Sequence, residues 1–383
     1  MKTMTKNTEK RGYRMLDVWR GVASLAVVMV HSYAPVAKQY PALAHQLWFS
    51  LSSFGFLGVP MFFVISGYCI VNAAVSSFQA QRGIGAFFHA RFLRIYPPYW
   101  CTTFAAILLS SAIALLAHHG IFRDSNLAKA DFFHQSLVYY FSTLTLTQVP
   151  LHQTRLVVVF WTLCYEVAFY LIVGFLLLPM FRRLAIPSFL NIFHSITLSA
   201  LLWLIVAPAT CLFPLDLWPQ FGFGILVFDW LRHADKKRPK ILFGVMSILL
   251  LCFITVGDPT KLGYARGIQF GTVLVFAPVL MILARFDEFL MRWKPVQWLA
   301  NVGVFSYSLY LTHILSLGIV SHIGKKLGVT QETYIYSDLG QIVFALIVAY
   351  VFYQYCELPF HRLAKRKPTT NSVDTHAVLP IAS

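Results

Sequence analysis

Arg20 and His31 stand eleven residues apart in an otherwise apolar stretch of this 383-residue chain. On an α-helix that separation is about three turns and about 16 Å of rise, so both side chains point the same way. A guanidinium grips phosphates and carboxylates through forked hydrogen bonds, and an imidazole is suited to moving protons near neutral pH. One helix face would therefore hold an anion at one end and perform acid–base chemistry at the other. Each residue also has a plainer role. Arg20 can extend its head toward lipid headgroups, and His31 can sit hydrogen-bonded inside a bundle. Asp17, one turn before Arg20, suits a helix N-cap or an ion-pair partner.

Further polar residues interrupt apolar runs. Arg91 and Arg94, in Arg91-Phe-Leu-Arg94-Ile-Tyr-Pro-Pro-Tyr99, share a helix face and could grip a phosphate, or could simply anchor a helix end beside an aromatic belt. Glu166, in Phe160-Trp-Thr-Leu-Cys-Tyr-Glu166-Val-Ala-Phe-Tyr170, would be protonated if alone in lipid; paired, it could orient a histidine or complete a structural ion pair. Ser306-Tyr307-Ser-Leu-Tyr310-Leu-Thr-His313 places hydroxyls and an imidazole together, and His313 can equally be a satisfied core histidine. Gly55, Gly58 and Pro60 precede Ser66-Gly67, a pattern that serves helix packing as well as a polar site. Glu357, in Cys356-Glu357-Leu-Pro359, could neutralise Arg20 or Arg91. The six cysteines lie singly along apolar stretches, so neither a metal centre nor a disulfide framework is expected.

The elements that must position these groups are membrane spans. Hydrophobic residues make up 58% of the chain and charged ones only 12%, with mean hydropathy +0.65, whereas soluble domains carry about a quarter charged residues. That excludes soluble, fibrous and disordered classes. Ten segments reach the roughly 20 apolar residues a crossing needs: near 16–36, 52–75, 97–118, 157–180, 189–208, 212–231, 241–256, 268–285, 300–323 and 338–359, the sixth and seventh being the least secure. On this count 22 Lys and Arg residues fall on the side of the N-terminus and eight on the other. Positive residues mark the cytoplasmic side, so the expectation is an all-α polytopic membrane protein of about ten transmembrane helices with both termini cytoplasmic. The formal charge of +16 then reflects topology and attraction to lipid headgroups, not a nucleic-acid surface. Residues 1–13 read as a cytoplasmic tail, 14–365 as one membrane domain, and 366–383 as a disordered cytoplasmic tail. The uncharged stretch Leu137 to Thr147 reads as a re-entrant or interfacial segment.

Ionisable groups inside spans cost several kcal/mol and are functional suspects by default. Together they form a recognisable series. Leu16-Asp17-Val-Trp-Arg20-Gly21-Val-Ala23 followed by His31 resembles the opening signature of the acyltransferase-3 family of integral membrane O-acyltransferases, in which an Arg and a His flank ten residues of the first helix. The resemblance continues through Gly58-Val59, Phe62-Phe63, Ser66-Gly67, Arg91-x-x-Arg94, Trp161-x-Leu163-x-x-Glu166, Phe169-Tyr170, Ser306-Tyr307 with His313, and Glu357-x-Pro359, covering roughly 14–365 in order. Pro60 and Cys164 depart from many members, which touches substrate subclass. Some members carry an extra extracytoplasmic esterase-like domain that this sequence lacks, and a separate partner would have to supply it where acylation needs one.

The resemblance implies transfer of an acyl group, usually acetyl, from cytoplasmic acetyl-CoA or another acyl-CoA to a hydroxyl of an extracytoplasmic glycan or glycolipid, in a bacterial inner membrane. His31 would be the general base or, as the lesser alternative, a transient acyl carrier, with Glu166 orienting it. Arg20, Arg91 and Arg94 would hold the CoA phosphates, and Ser66, Ser306, Tyr307 and His313 would line the tunnel. No metal is expected. The rival of another class is a transporter or flippase of a polar or lipid-linked substrate, which also fits ten spans with scattered intramembrane charge. Against it stands the missing repeat symmetry.

Overall fold

The computed structural model describes residues 13–80, 83–118, 135–178, 185–233, 235–256 and 264–365. The two expected tails, apart from Tyr13, fall outside the described residues, as does most of the loop before Leu137. Among the described residues the chain is helical without a strand. Eight helices are long and apolar enough to cross a membrane, or nine if a bent pair counts as one span. The long elements are α1 (Met15–Gln39), α2 (Leu47–Ser53) continuing into α3 (Gly58–Gln79), α4 (Ile84–His118), α5 (Leu137–Thr145), α6 (Trp161–Phe175), α7 (Ile186–Val206), α8 (Trp218–Arg232), α9 (Lys237–Val256), α10 (Tyr264–Leu283), α11 (Lys294–Val304), α12 (Ser306–Lys326), α13 (Tyr334–Phe352) and α14 (Leu358–Lys365).

Two expected spans take a different form. The sixth, α8, is 15 residues long, about 22 Å at the helical rise, against a hydrocarbon layer of about 30 Å. Every residue from Trp218 to Asp229 is buried, so protein and not lipid surrounds it, and its length need not match the bilayer. The ninth is broken: α11 and α12 meet at Phe305 with a bend of 75°.

Backbone proximity brings the helices together. A Cβ on Gly67 of α3 would overlap the Phe221 carbonyl oxygen of α8, and one on Gly224 of α8 would overlap the Val64 carbonyl oxygen of α3. The same reciprocity joins α1 to α11, where Gly21 meets Leu299 and Gly303 meets Asp17. Apolar area drives little association in lipid, and small residues that let backbones touch supply dispersion contact instead. Around these crossings sits a large aromatic core in which Phe63, Phe169, Trp218 and Phe221 stack within 4.5–4.9 Å of a neighbouring ring.

Helix ends are satisfied from a distance. The first N–H groups of α1 are capped by Asp287, which accepts from Met15 N at 2.7 Å and Arg14 N at 3.3 Å. Asp17 therefore acts as a partner for Arg20, 3.5 Å away, and not as the cap. The stretch Leu137 to Thr147 begins as α5, nine residues long and too short to cross. Its C-terminal carbonyls, orphans of any helix, accept from three α4 side chains: Tyr99 to Thr143 (2.6 Å), Trp100 to Leu144 and Tyr96 to Thr145 (both 3.0 Å).

Overpacking costs about 1–3 kcal/mol, more where backbones must part. Gly67→Val is expected to lower the thermal midpoint of the detergent-solubilised protein clearly. Gly271→Ala, whose Cβ would meet nothing within 4 Å, should leave it level or raise it slightly.

Candidate functional site

Four helical stripes converge on one cavity with an empty volume, open mouth included, of ≈ 770 Å³. Val59, Phe62, Phe63, Ser66, Cys69 and Ile70 recur every three to four residues along α3; Thr162 and Glu166, with Tyr170 completing the four-residue step, come from α6; Arg91, Arg94 and Ile95 come from α4; and Ser306, Tyr307 and Tyr310 from α12. Arg20 reaches in from α1. Spacing of three and four is what keeps side chains on one helix face, so each stripe follows from its own local sequence. Pro97 and Pro98 lie inside α4; lacking N–H groups, they free the carbonyls one turn earlier. In that segment the Ile95 carbonyl accepts a hydrogen bond from the Tyr307 hydroxyl at 2.8 Å.

The lining holds three guanidinium groups against one carboxylate. Arg91 lies over the rings of Phe87 and Tyr170, 5.6 and 5.7 Å from their centroids, and its buried Nε has no partner. Glu166 accepts from the Tyr170 hydroxyl at 2.5 Å. Glu357, beside the cavity and 2% exposed, accepts from Ser308 N at 3.2 Å and Ser308 Oγ at 2.5 Å, with Arg94 and Arg20 as its charged neighbours. All three cavity arginines act electrostatically on Cys69, so they gather at the far end of the α3 stripe from Val59. With positive charge in excess and an orphaned guanidinium N–H, the cavity favours an anionic ligand.

His31 forms a second group with His313. Their ring centroids are 5.0 Å apart, edge to face. His31 Nδ1 donates to the Val27 carbonyl at 2.8 Å, and His313 Nδ1 to those of Tyr310 (2.8 Å) and Leu309 (3.2 Å). Carbonyls only accept, so both rings carry the proton on Nδ1 and keep the Nε2 lone pair. His313 is buried and its Nε2 is without a partner. Neither histidine lines the cavity. Tyr310 stands between, lining the cavity with one side of its ring and lying 5.8 Å from the His313 ring.

Seven residues singled out by type and spacing thus meet: Arg20, Ser66, Arg91, Arg94, Glu166, Ser306 and Tyr307 share the cavity. The expected pairing of Glu166 with His31 is not made, because the carboxylate is turned to Tyr170 and the histidine's neighbour is His313. Tyr170 and Tyr310 stand inside motifs already quoted and were missed because neither titrates near neutral pH. Two further acids are buried, of which the sequence marks Asp229 only as a residue that weakens the sixth span. Asp229, wholly buried at the end of α8, pairs with Arg238 (2.6 Å), His194 (3.0 Å) and His233 (2.6 Å). Asp338, 1% exposed, accepts from the Trp48 indole at 2.8 Å. Both lie within the segments drawn as spans, which was the available signal.

An apolar helical bundle with a charged interior cavity places the protein among multi-pass membrane proteins. The chain belongs to the Acyltransferase domain family (acyltransferase-3), whose family model matches residues 13–354. Among curated proteins it is similar to the peptidoglycan O-acetyltransferase OatA of Listeria monocytogenes, 24% identical over 93% of this chain and 57% of that protein. It is similar also to the O-acetyltransferase OatA of Staphylococcus aureus, 26% identical over 80% of this chain and 53% of that protein. The chain spans about half the length of these relatives. No solved structure matches it.

Breaking one side of a buried charge arrangement typically costs about 3–5 kcal/mol. Glu357→Ala, which strands the Ser308 hydroxyl and N–H beside two arginines, should therefore lower the thermal midpoint strongly. Glu357→Gln, which can still accept from Ser308, should lower it less.

Proposed function

We propose that the protein moves an acyl group, acetyl before longer ones, from acyl-CoA to a hydroxyl of a glycan, on a frame of ten spans with both termini in the cytoplasm of a bacterial cell. The eight long helices, the bent α11–α12 pair and the protein-wrapped α8 together make ten. The observation that carries the reading is the cavity itself: three arginines at one end, apolar walls between, and a histidine pair reached through Tyr310 at the other. CoA offers clustered phosphates, a long slender arm and a terminal thioester, in that order. Arg20, Arg91 and Arg94 would take the phosphates through charge-assisted bonds, and the α3 stripe of Phe62, Phe63 and Ile70 would accompany the arm. Glu166 limits the positive excess and sets Tyr170 under the Arg91 guanidinium.

His31 is the general base. Its Nδ1–H is tied to Val27, which aims Nε2 away from its own helix toward the acceptor. As the acceptor hydroxyl attacks the thioester carbonyl, its proton passes to His31 Nε2, the new oxygen–carbon bond forms and the carbon–sulfur bond breaks. The proton then neutralises the departing thiolate. The name of the Listeria relative makes a peptidoglycan sugar the first acceptor to test, with other surface glycans and glycolipids next. Membership of an acyltransferase family lends no support to a transporter reading.

Membranes carrying the wild type, supplied with radiolabelled acetyl-CoA and cell-wall glycan, should place label in the glycan. His31→Ala should abolish labelling while the protein remains in the membrane at the normal level; full labelling by that variant would end the reading. Hydrogen bonds to charged groups contribute about 1.5–3 kcal/mol each. The Arg91→Ala, Arg94→Ala double variant should accordingly raise the apparent KM for acetyl-CoA by at least about tenfold, with a smaller effect on kcat. A reporter fused after residue 383 should register the cytoplasmic side.

A further inference from the structure

The base proposed above does not line the cavity proposed to hold the donor, and a chain of ring contacts through Tyr310 and His313 joins the two. Tyr310 lines the cavity and is 8% exposed. Its hydroxyl is tethered twice on α6 and the turn before it, donating to the Val159 carbonyl at 2.6 Å and lying 2.5 Å from Thr162 Oγ1. Thr162 Oγ1 also lies 3.2 Å from the Val159 carbonyl, and with a single proton it donates either there or to the phenol oxygen. The Tyr310 ring packs against Phe62 across the cavity, centroids 6.1 Å apart, and against His313 on its other side at 5.8 Å. His313 in turn touches His31. The ring contacts from the cavity to the base therefore run Tyr310, His313, His31, and the tethered phenol is the member that lines the cavity.

A ring so placed has a chemical purpose. A thioester presented to a histidine base together with water would be hydrolysed, and the acyl group would be lost before any glycan arrived. Excluding water from a reactive group is a recognised task of enzyme walls and lids. We propose that Tyr310 is the residue that selects the acceptor hydroxyl over water, by closing the donor cavity against His31 until the acceptor is in place. The inference rests on the donor reading of the preceding section.

The test is a gain of activity, which unfolding cannot mimic. Without the wall, water's oxygen bonds to the thioester carbonyl carbon and the carbon–sulfur bond breaks. Water's proton reaches the sulfur by way of His31, leaving a carboxylic acid and free CoA thiol. Purified full-length protein in lipid nanodiscs is given acetyl-CoA with no glycan, and thiol release is followed with a chromogenic thiol reagent. Tyr310→Ala should release thiol about tenfold or more faster than wild type, and the double variant with His31→Ala should return to the wild-type rate. Thr162→Ala, which removes one tether and leaves the ring, should show a smaller rise, and it decides the matter if Tyr310→Ala does not fold.

A Tyr310→Ala protein that still shows an acetyl-CoA-dependent thermal shift yet releases thiol no faster than wild type would overturn the inference. So would a rise that persists without His31, because the wall would then not separate donor from that base. Wild-type protein with no acetyl-CoA-dependent thermal shift would instead overturn the donor reading, and this inference with it.

Discussion

A guanidinium surrounded by apolar helices is stable only with compensating groups around it, and three such groups set the terms for the interior of this bundle. Each is met differently. Arg20 keeps Asp17 at 3.5 Å on its own helix. Arg91 rests on the faces of Phe87 and Tyr170. Arg94 lies in the field of Glu166 and Glu357, two acids far apart in the chain. These acids have in turn to be held: Glu166 by the Tyr170 hydroxyl and Glu357 by both donors of Ser308. The compensation stops short of neutralising the cavity, since only Glu166 among the acids lines it. What remains is a positive recess, which suits a multiply charged anion.

Holding four helices around such a recess requires that other helices pack without gaps. The reciprocal glycine contacts of α3 with α8 and of α1 with α11 do this by bringing backbones into touch on the sides turned away from the cavity. The consequence reaches α8. Clasped by α3 on one side and by α7 and α9 on others, it is removed from lipid along nearly its whole length. Asp229 at its end can then bind Arg238, His194 and His233 in a setting where an unpaired carboxylate would be untenable. Likewise the carbonyls at the end of α5 are bound by three rings of α4, so a segment too short to span still has no unsatisfied helix end on that side.

The division of the interior into an arginine cavity and a histidine pair has a thermodynamic logic. A base is useful only near the bond it helps to break, while a thioester must be kept from water. One aromatic wall satisfies both demands, because a phenol ring excludes water and stands a single side chain's thickness from the imidazole beyond it. Its two hydrogen bonds hold it across the opening at modest cost, since neutral bonds contribute about 1 kcal/mol each.

The membrane class, most spans, and the residues worth suspecting were legible in the sequence because lipid is an unforgiving solvent. Long apolar runs have no other stable home, and a charge inside one stands out against its background, which is how Arg20, His31, Arg91, Arg94, Glu166 and His313 came to notice. Spacing of three and four further fixed which of them share a helix face. What the sequence could not determine was partnership across helices. That Glu166 turns to Tyr170 and not to His31, that Asp287 and not Asp17 caps α1, and that Asp229 and Asp338 are buried are results of how helices distant in the chain rotate and cross. Rotation and crossing depend on the summed fit of many small contacts, such as Gly67 against Phe221 and Gly303 against Asp17, no one of which is readable from its own neighbours. The same reason explains Tyr310: its place between cavity and histidine exists only where α3, α6, α12 and α1 meet, and that meeting is decided by tertiary packing alone.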